Sequence, residues 1–67
     1  MTPEKAQEII NRSYALPTLG LRAKFLMGHV ASLKGDNPRR QTFAIRILEA
    51  ALRDVQMRRL RKENRAA

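Results

Sequence analysis

Apolar residues recur every three or four positions along most of the chain, which is the spacing of one face of an α-helix. The first such run follows Thr2, which suits a helix N-cap, and Pro3, which suits the first helical position. The run ends before Leu16 and Pro17, because the residue that precedes a proline disfavours the helical conformation. These signals predict a first helix over 3–15.

The second run is apolar on two sides, and it predicts a helix over 18–34 that ends before Gly35. One stripe consists of Leu19, Ala23, Leu26, Val30 and Leu33, and the other of Leu21, Phe25, Gly28 and Ser32. A helix with two apolar sides is usually covered on both. The small residues Gly28 and Ser32 would let another backbone approach closely.

The third run predicts a long C-terminal helix over 38–62, with Asn37 as its N-cap, Pro38 in its first turn and a frayed tail over 63–67. Its core stripe is Ala44, Ile45, Leu48, Ala51, Leu52 and Val55. No segment alternates as a strand would. The predicted fold is therefore an all-α, three-helix small domain with a long C-terminal helix.

The length of 67 residues allows a single helical domain, 1–67, and a chain this short buries too little surface to be more than marginally stable alone. It has no cysteine, so neither disulfides nor thiolate metal sites can stabilise it. Association with a second copy is the remaining way to stabilise so short a chain, and we predict a homodimer through the second helix and part of the third. The predicted core and dimer residues are Leu19, Leu21, Phe25, Leu26, Gly28, Val30, Leu48, Leu52 and Val55.

Positive charge is concentrated in the second half of the chain. The net charge is +8, and residues 38–67 carry nine basic and three acidic side chains, for a balance of +6. A strongly basic protein favours acidic partners, namely nucleic acid, an anionic membrane or an acidic protein surface.

The side of the third helix opposite its core stripe carries arginine, aromatic and methionine residues, which are enriched at protein interfaces. Arg39, Arg46 and Arg53 recur every seven positions, and Phe43, Ala50 and Met57 lie between them. Arg39 and Arg40 lie in the predicted first turn, where the helix dipole disfavours positive charge, which suggests that these two arginines bind another molecule. The predicted partner-binding residues are Arg39, Arg40, Phe43, Arg46, Arg53 and Met57, for an acidic protein surface. Alternatively, these are ordinary exposed residues whose arginine stems cover apolar surface.

A secondary basic patch follows, made of Arg58, Arg59, Arg61 and Lys62. It is consistent with a solvated helix end whose cations favour the helix dipole, or with phosphate contacts. The alternative function is therefore a small basic DNA-binding regulator, with the second and third helices as a helix-turn-helix. We expect no membrane partner, because the apolar stripe of the third helix is needed for the core.

The sequence offers little support for catalysis. His29 is the only histidine, and no nucleophile arrangement, glycine-rich loop or paired carboxylate is evident. We expect no enzyme activity, no metal and no cofactor. No apolar run approaches the length of a membrane span and no signal peptide is evident, so we expect a cytoplasmic protein.

The stretch "LRAKFLMGHVASLKGDNPRRQTFAIRILEAALRDVQMRRLR" resembles small early proteins of Mu-like phages that infect Pseudomonas, the group of the phage anti-activators of quorum sensing. The resemblance covers residues 19–61 and rests on no short signature motif. It implies a helical dimer and a non-enzymatic, phage-encoded inhibitor that binds host proteins. The implied targets are a LuxR-type quorum-sensing transcriptional activator and the type IV pilus assembly ATPase.

Overall fold

The computed structural model describes residues 2–66 of the chain and the side chains of residues 2–64. Three helices make up the fold: α1 (Pro3–Ser13), α2 (Leu19–Lys34) and α3 (Phe43–Ala66). Over the described residues there is no strand. The predicted all-α class, with three helices and a long C-terminal helix, is confirmed.

Helix α1 begins as predicted and ends two residues earlier. The Thr2 hydroxyl accepts a hydrogen bond from the Lys5 N–H at 3.2 Å, which satisfies one free donor of the first turn. After Ser13, the N–H groups of residues 14–16 donate to carbonyls three positions back, so the chain tightens into single turns. The Ser13 hydroxyl donates to the Ile10 carbonyl at 2.6 Å, which satisfies this buried polar group within its own helix.

Arg22 holds the loop between α1 and α2. Its Nε donates to the Leu16 carbonyl at 3.1 Å and its Nη2 donates to the Tyr14 carbonyl at 3.4 Å. The same guanidinium lies 5.9 Å from the centroid of the Tyr14 ring. One charged side chain thereby satisfies two loop carbonyls and stacks on the exposed aromatic ring beside them.

Helix α2 closely follows its prediction. Thr18 is the N-cap and accepts from the Leu21 N–H at 3.1 Å, so the helix begins one residue after the predicted start. Gly35 ends it with a φ of 57°, in the left-handed region where only glycine is unstrained.

The predicted start of the third helix at residue 38 is wrong. Residues Asn37 to Arg40 form a β-turn, in which the Arg40 N–H donates to the Asn37 carbonyl at 3.0 Å. The Arg39 N–H donates to the Asn37 side-chain oxygen at 3.1 Å. Pro38 occupies the second turn position, where its fixed φ is as suitable as in the first turn of a helix. The same residues therefore satisfy both motifs.

Helix α3 begins instead at Phe43, and Thr42 caps it. The Thr42 hydroxyl accepts from the Ile45 N–H at 3.2 Å. At the other end, the helix continues to Ala66, so the predicted end at residue 62 is four residues too early, while the fraying of the tail stays a prediction. Residue 67 lies outside the described residues. Arginine, leucine, lysine and glutamate are good helix formers, and cations near a C-terminus favour the helix dipole.

The hydrophobic core lies where the three helices meet. Helices α2 and α3 run antiparallel, since Lys34 at the end of α2 pairs with Glu49 and the start of α2 lies beside Lys62. The predicted stripe of α3 is confirmed, with Ala51 and Leu52 partly buried and the rest fully buried. The buried apolar residues are Ala6, Ile9, Ile10, Ala23, Leu26, Val30, Ala44, Ile45, Leu48 and Val55.

The domain is flat, with Cα extents of 38 × 24 × 14 Å. Each helix consequently keeps one side open to solvent. Helix α2 buries the stripe of Ala23, Leu26 and Val30, while Leu21 and Gly28 on its second apolar side remain exposed. Leu21 and Gly28 are therefore the two predicted core and dimer residues that lie outside the core of the single chain. Three others, Leu19, Phe25 and Leu52, are partly buried and pack against the core.

Candidate partner-binding site

The outward side of α3 carries one continuous strip of exposed arginine and apolar side chains. The strip consists of Phe43, Arg46, Ala50, Arg53 and Met57, and all five are exposed. Successive members are three or four positions apart, so they stack along one side of the helix. The buried residues of α3 lie on the other side. We call these five residues the α3 strip.

The apolar ends of the α3 strip are open to solvent. Phe43 is 67% exposed and Met57 is 47% exposed. Arg46 and Arg53 lie between them and form no ion pair with the carboxylates of the described residues. A guanidinium forms bidentate hydrogen bonds with a carboxylate, and aromatic and methionine side chains fill apolar recesses. The arrangement can therefore bind a protein surface that combines both.

A shallow depression of about 230 Å³ lies beside the α3 strip, lined by Gln41, Arg46, Glu49, Ala50 and Arg53. Glu49 reaches from it towards α2, where its Oε1 lies 3.4 Å from Lys34 Nζ. That oxygen is buried and accepts no hydrogen bond from the described residues. Because Lys34 offsets the Glu49 charge, the two arginines remain available to another molecule.

Arg39 and Arg40 are not part of this helical surface, which corrects their prediction as its first members. Both lie in the linker before α3. Arg40 Nη1 donates to the Leu33 carbonyl at 3.3 Å, so its charge lies at the C-terminal end of α2. A cation is favoured at that end of a helix. The apparent conflict with the dipole of the third helix therefore does not exist.

The predicted secondary basic patch is exposed throughout. Arg58 pairs with Asp54 one turn earlier, with 3.2 Å between Nε and Oδ2. Arg59, Arg61 and Lys62 form no ion pair with the described carboxylates. Leu60, which was not among the predicted site residues, is 53% exposed and extends the apolar side of the α3 strip beyond Met57. Its spacing of three from Met57 and seven from Arg53 is the signal that could have found it.

His29 packs against Phe25, with ring centroids 4.7 Å apart in an edge-to-face arrangement. It is partly buried on the side of α2 that faces α1, where Lys5, Glu8 and Arg12 line the same shallow depression. The described residues hold no group of three His, Cys, Asp or Glu side chains that could bind a metal. Over the same residues, no helix has the length and hydropathy required to span a bilayer.

Comparisons with protein-family models, with curated proteins and with solved structures find no match to this chain.

Proposed function

We propose that the chain is a non-enzymatic inhibitor that binds a partner protein through the α3 strip and thereby covers an acidic surface of that partner. The observation that carries this proposal is the exposure of Phe43 and Met57 on the same side of α3 as two arginines that pair with no described carboxylate. Neither Phe43 nor Met57 belongs to the hydrophobic core, and each leaves about half or more of its surface open to solvent. In an interface they gain burial, and the arginines gain charge-assisted hydrogen bonds.

The partner class follows from the resemblance of residues 19–61 to the small early proteins of Mu-like Pseudomonas phages. We propose a phage-encoded protein that acts in the host cytoplasm. Its proposed targets are a LuxR-type quorum-sensing transcriptional activator and the type IV pilus assembly ATPase. Covering a functional surface would inhibit either target without any chemical reaction.

A homodimer is part of this proposal, with the outer side of α2 as its interface. Leu21 is 46% exposed there, Gly28 and Ser32 are exposed on the same side, and Lys24 is the one charged residue on that side. A side with a single charge is unusual in a chain with 30% charged residues. A second copy would bury these residues, and the two α3 strips would remain free.

Isothermal titration calorimetry with the purified activator and the purified ATPase tests the partner proposal. Arg46→Glu with Arg53→Glu should weaken binding at least tenfold, because buried charge-assisted contacts are worth about 2 kcal/mol or more each. The matched control is Arg59→Glu with Lys62→Glu, which makes the same change of charge outside the strip. Circular dichroism should show native helix content in both variants.

Two results would overturn the proposal. If the strip variant binds as tightly as the unmodified chain while remaining helical, the α3 strip is not the binding surface. If neither target binds, the partner class is wrong.

A further inference from the structure

The C-terminal end of α3 carries four cations in one continuous arc. Around the helix, the four follow one another in the order Arg59, Lys62, Arg58 and Arg61. Each is three or four positions from the next along the chain, so neighbouring side chains lie side by side. All four are exposed. These are the four residues of the secondary basic patch, and we call their arrangement around the helix the basic arc. It lies mainly on the side of α3 away from Arg46, Arg53 and Met57, with Arg61 at its edge.

The charge of the basic arc is hardly offset within the chain. Its one ion pair among the described residues joins Arg58 to Asp54, and both side chains remain more than half exposed. Such surface pairs exchange readily with other ligands because they contribute little free energy. The arc therefore presents between three and four positive charges to an external partner.

The helix at this end is accessible from several directions. Val55 is the last core residue of α3, and every residue from Gln56 to Asn64 is exposed. An α-helix with its side chains is about 10–12 Å across, and the major groove of B-form DNA is about 12 Å wide. The narrow major groove of an RNA duplex does not admit a helix in this way.

The composition of the basic arc favours phosphates over a protein surface. Leu60 projects away from the arc, on the side of Met57 and Arg53, so the arc itself holds no apolar side chain. Protein interfaces use arginine together with apolar residues, whereas phosphate contacts need only cations and other donors. A depression of about 480 Å³ adjoins the arc, and Thr18, Leu19, Gly20, Arg59, Lys62 and Glu63 line it. The phosphate backbone of a groove-bound duplex would pass along this depression.

From these observations we infer a second binding surface: the basic arc binds duplex DNA, with the end of α3 in the major groove and Arg59 and Lys62 on backbone phosphates. This function goes beyond the proposed inhibition and uses different residues. It also differs from a helix-turn-helix, because residues 35–42 separate α2 from α3 and the typical turn of that motif has about 3–4 residues.

Fluorescence anisotropy with a short labelled duplex of mixed sequence, measured over a series of salt concentrations, tests this inference. The slope of log K against log salt concentration is negative, and its magnitude should fall by about 0.9 for each phosphate that the protein no longer binds. Arg59→Gln with Lys62→Gln should thus reduce the magnitude of the slope by about 2. Arg46→Gln with Arg53→Gln removes the same charge from the α3 strip and should leave the slope nearly unchanged.

Glu63→Gln supplies a second, independent variant, because Glu63 is the carboxylate that lines the same depression. Loss of the Glu63 negative charge beside the phosphates should tighten duplex binding at constant salt. Three results would overturn the inference: no duplex binding at low salt, an equal effect of the two arginine-containing double variants, or displacement of the duplex by polyglutamate at equal charge concentration. Since the two surfaces share no tested residue, either binding activity can fail while the other persists.

Discussion

The Arg40 guanidinium donates a hydrogen bond to the carbonyl oxygen of Leu33, 3.3 Å away in the last turn of α2. The last carbonyls of a helix have no partner within it, and they form the negative end of its dipole. Arg40 therefore stabilises the end of α2, although it lies in the linker that leads to α3. The β-turn from Asn37 to Arg40 returns the side chain to that position.

Replacing Arg40 with alanine should lower the free energy of unfolding by about 0.3–1 kcal/mol, because the variant lacks the cation and the hydrogen bond at the end of α2. Urea denaturation at low salt measures this change. High salt should reduce the difference, since it screens exposed charges. Arg39→Ala is the matched control, because only the Arg39 backbone N–H is hydrogen-bonded in the turn. An equal loss of stability in both variants would contradict the capping role.

Thr42→Ala should also destabilise the domain, by about 1 kcal/mol, because the Ile45 N–H loses its partner at the start of α3. Thr42→Ser keeps the hydroxyl and should retain most of the stability. Chemical denaturation followed by circular dichroism compares the two. If serine and alanine were equally destabilising, the hydroxyl would not be the cap.

The helices and their core were predictable because each depends on local spacing. The stripes that contain Leu26 and Leu48 repeat every three or four residues, and such a pattern can bury only one side of a helix. Likewise, Gly35 is a strong C-terminal signal that has no competing motif nearby.

The start of α3 was not predictable in the same way, because Asn37 and Pro38 suit a β-turn as well as a helix N-terminus. The choice is decided by Thr42, whose hydroxyl caps a helix that begins five residues later than predicted. This local ambiguity placed Arg39 in the predicted binding surface. The rest of that surface, from Phe43 to Met57, needed only the helical period and is exposed as expected.

The contact between Lys34 and Glu49 lay beyond sequence reasoning, because it depends on how α2 and α3 are aligned along their length. The two side chains are 23% and 30% exposed, and Glu49 Oε1 has no hydrogen bond from the described residues. Lys34→Met should therefore destabilise the domain by about 1 kcal/mol, since it leaves a half-buried carboxylate without compensation. Thermal and urea denaturation of the variant measure this loss of stability.

Adding Glu49→Leu to Lys34→Met should restore the stability, because a pair of apolar residues often replaces a buried ion pair at no cost in stability. A double variant that is less stable than Lys34→Met alone would show that Glu49 has a further stabilising role.

Gly28 allows a test in which the single chain and the dimer respond in opposite directions. A Cβ built at Gly28 meets nothing within 4 Å, so the single chain gives no reason for glycine in the middle of α2. Gly28→Ala should then stabilise the isolated domain by about 0.5–1 kcal/mol, through the higher helix propensity of alanine. In the proposed homodimer the same methyl group lies between two closely packed helices and should weaken their association.

Denaturation at low protein concentration and sedimentation equilibrium at higher concentration separate the two effects of Gly28→Ala. Gly20→Ala makes the same change in the first turn of α2, where the Cβ comes no closer than 3.9 Å to Thr18 Oγ1, and it should leave association nearly unchanged. Higher stability together with weaker association at Gly28 alone would identify the outer side of α2 as the dimer interface. Higher stability with unchanged association would exclude close backbone approach at Gly28, and the dimer would then have to form through another surface.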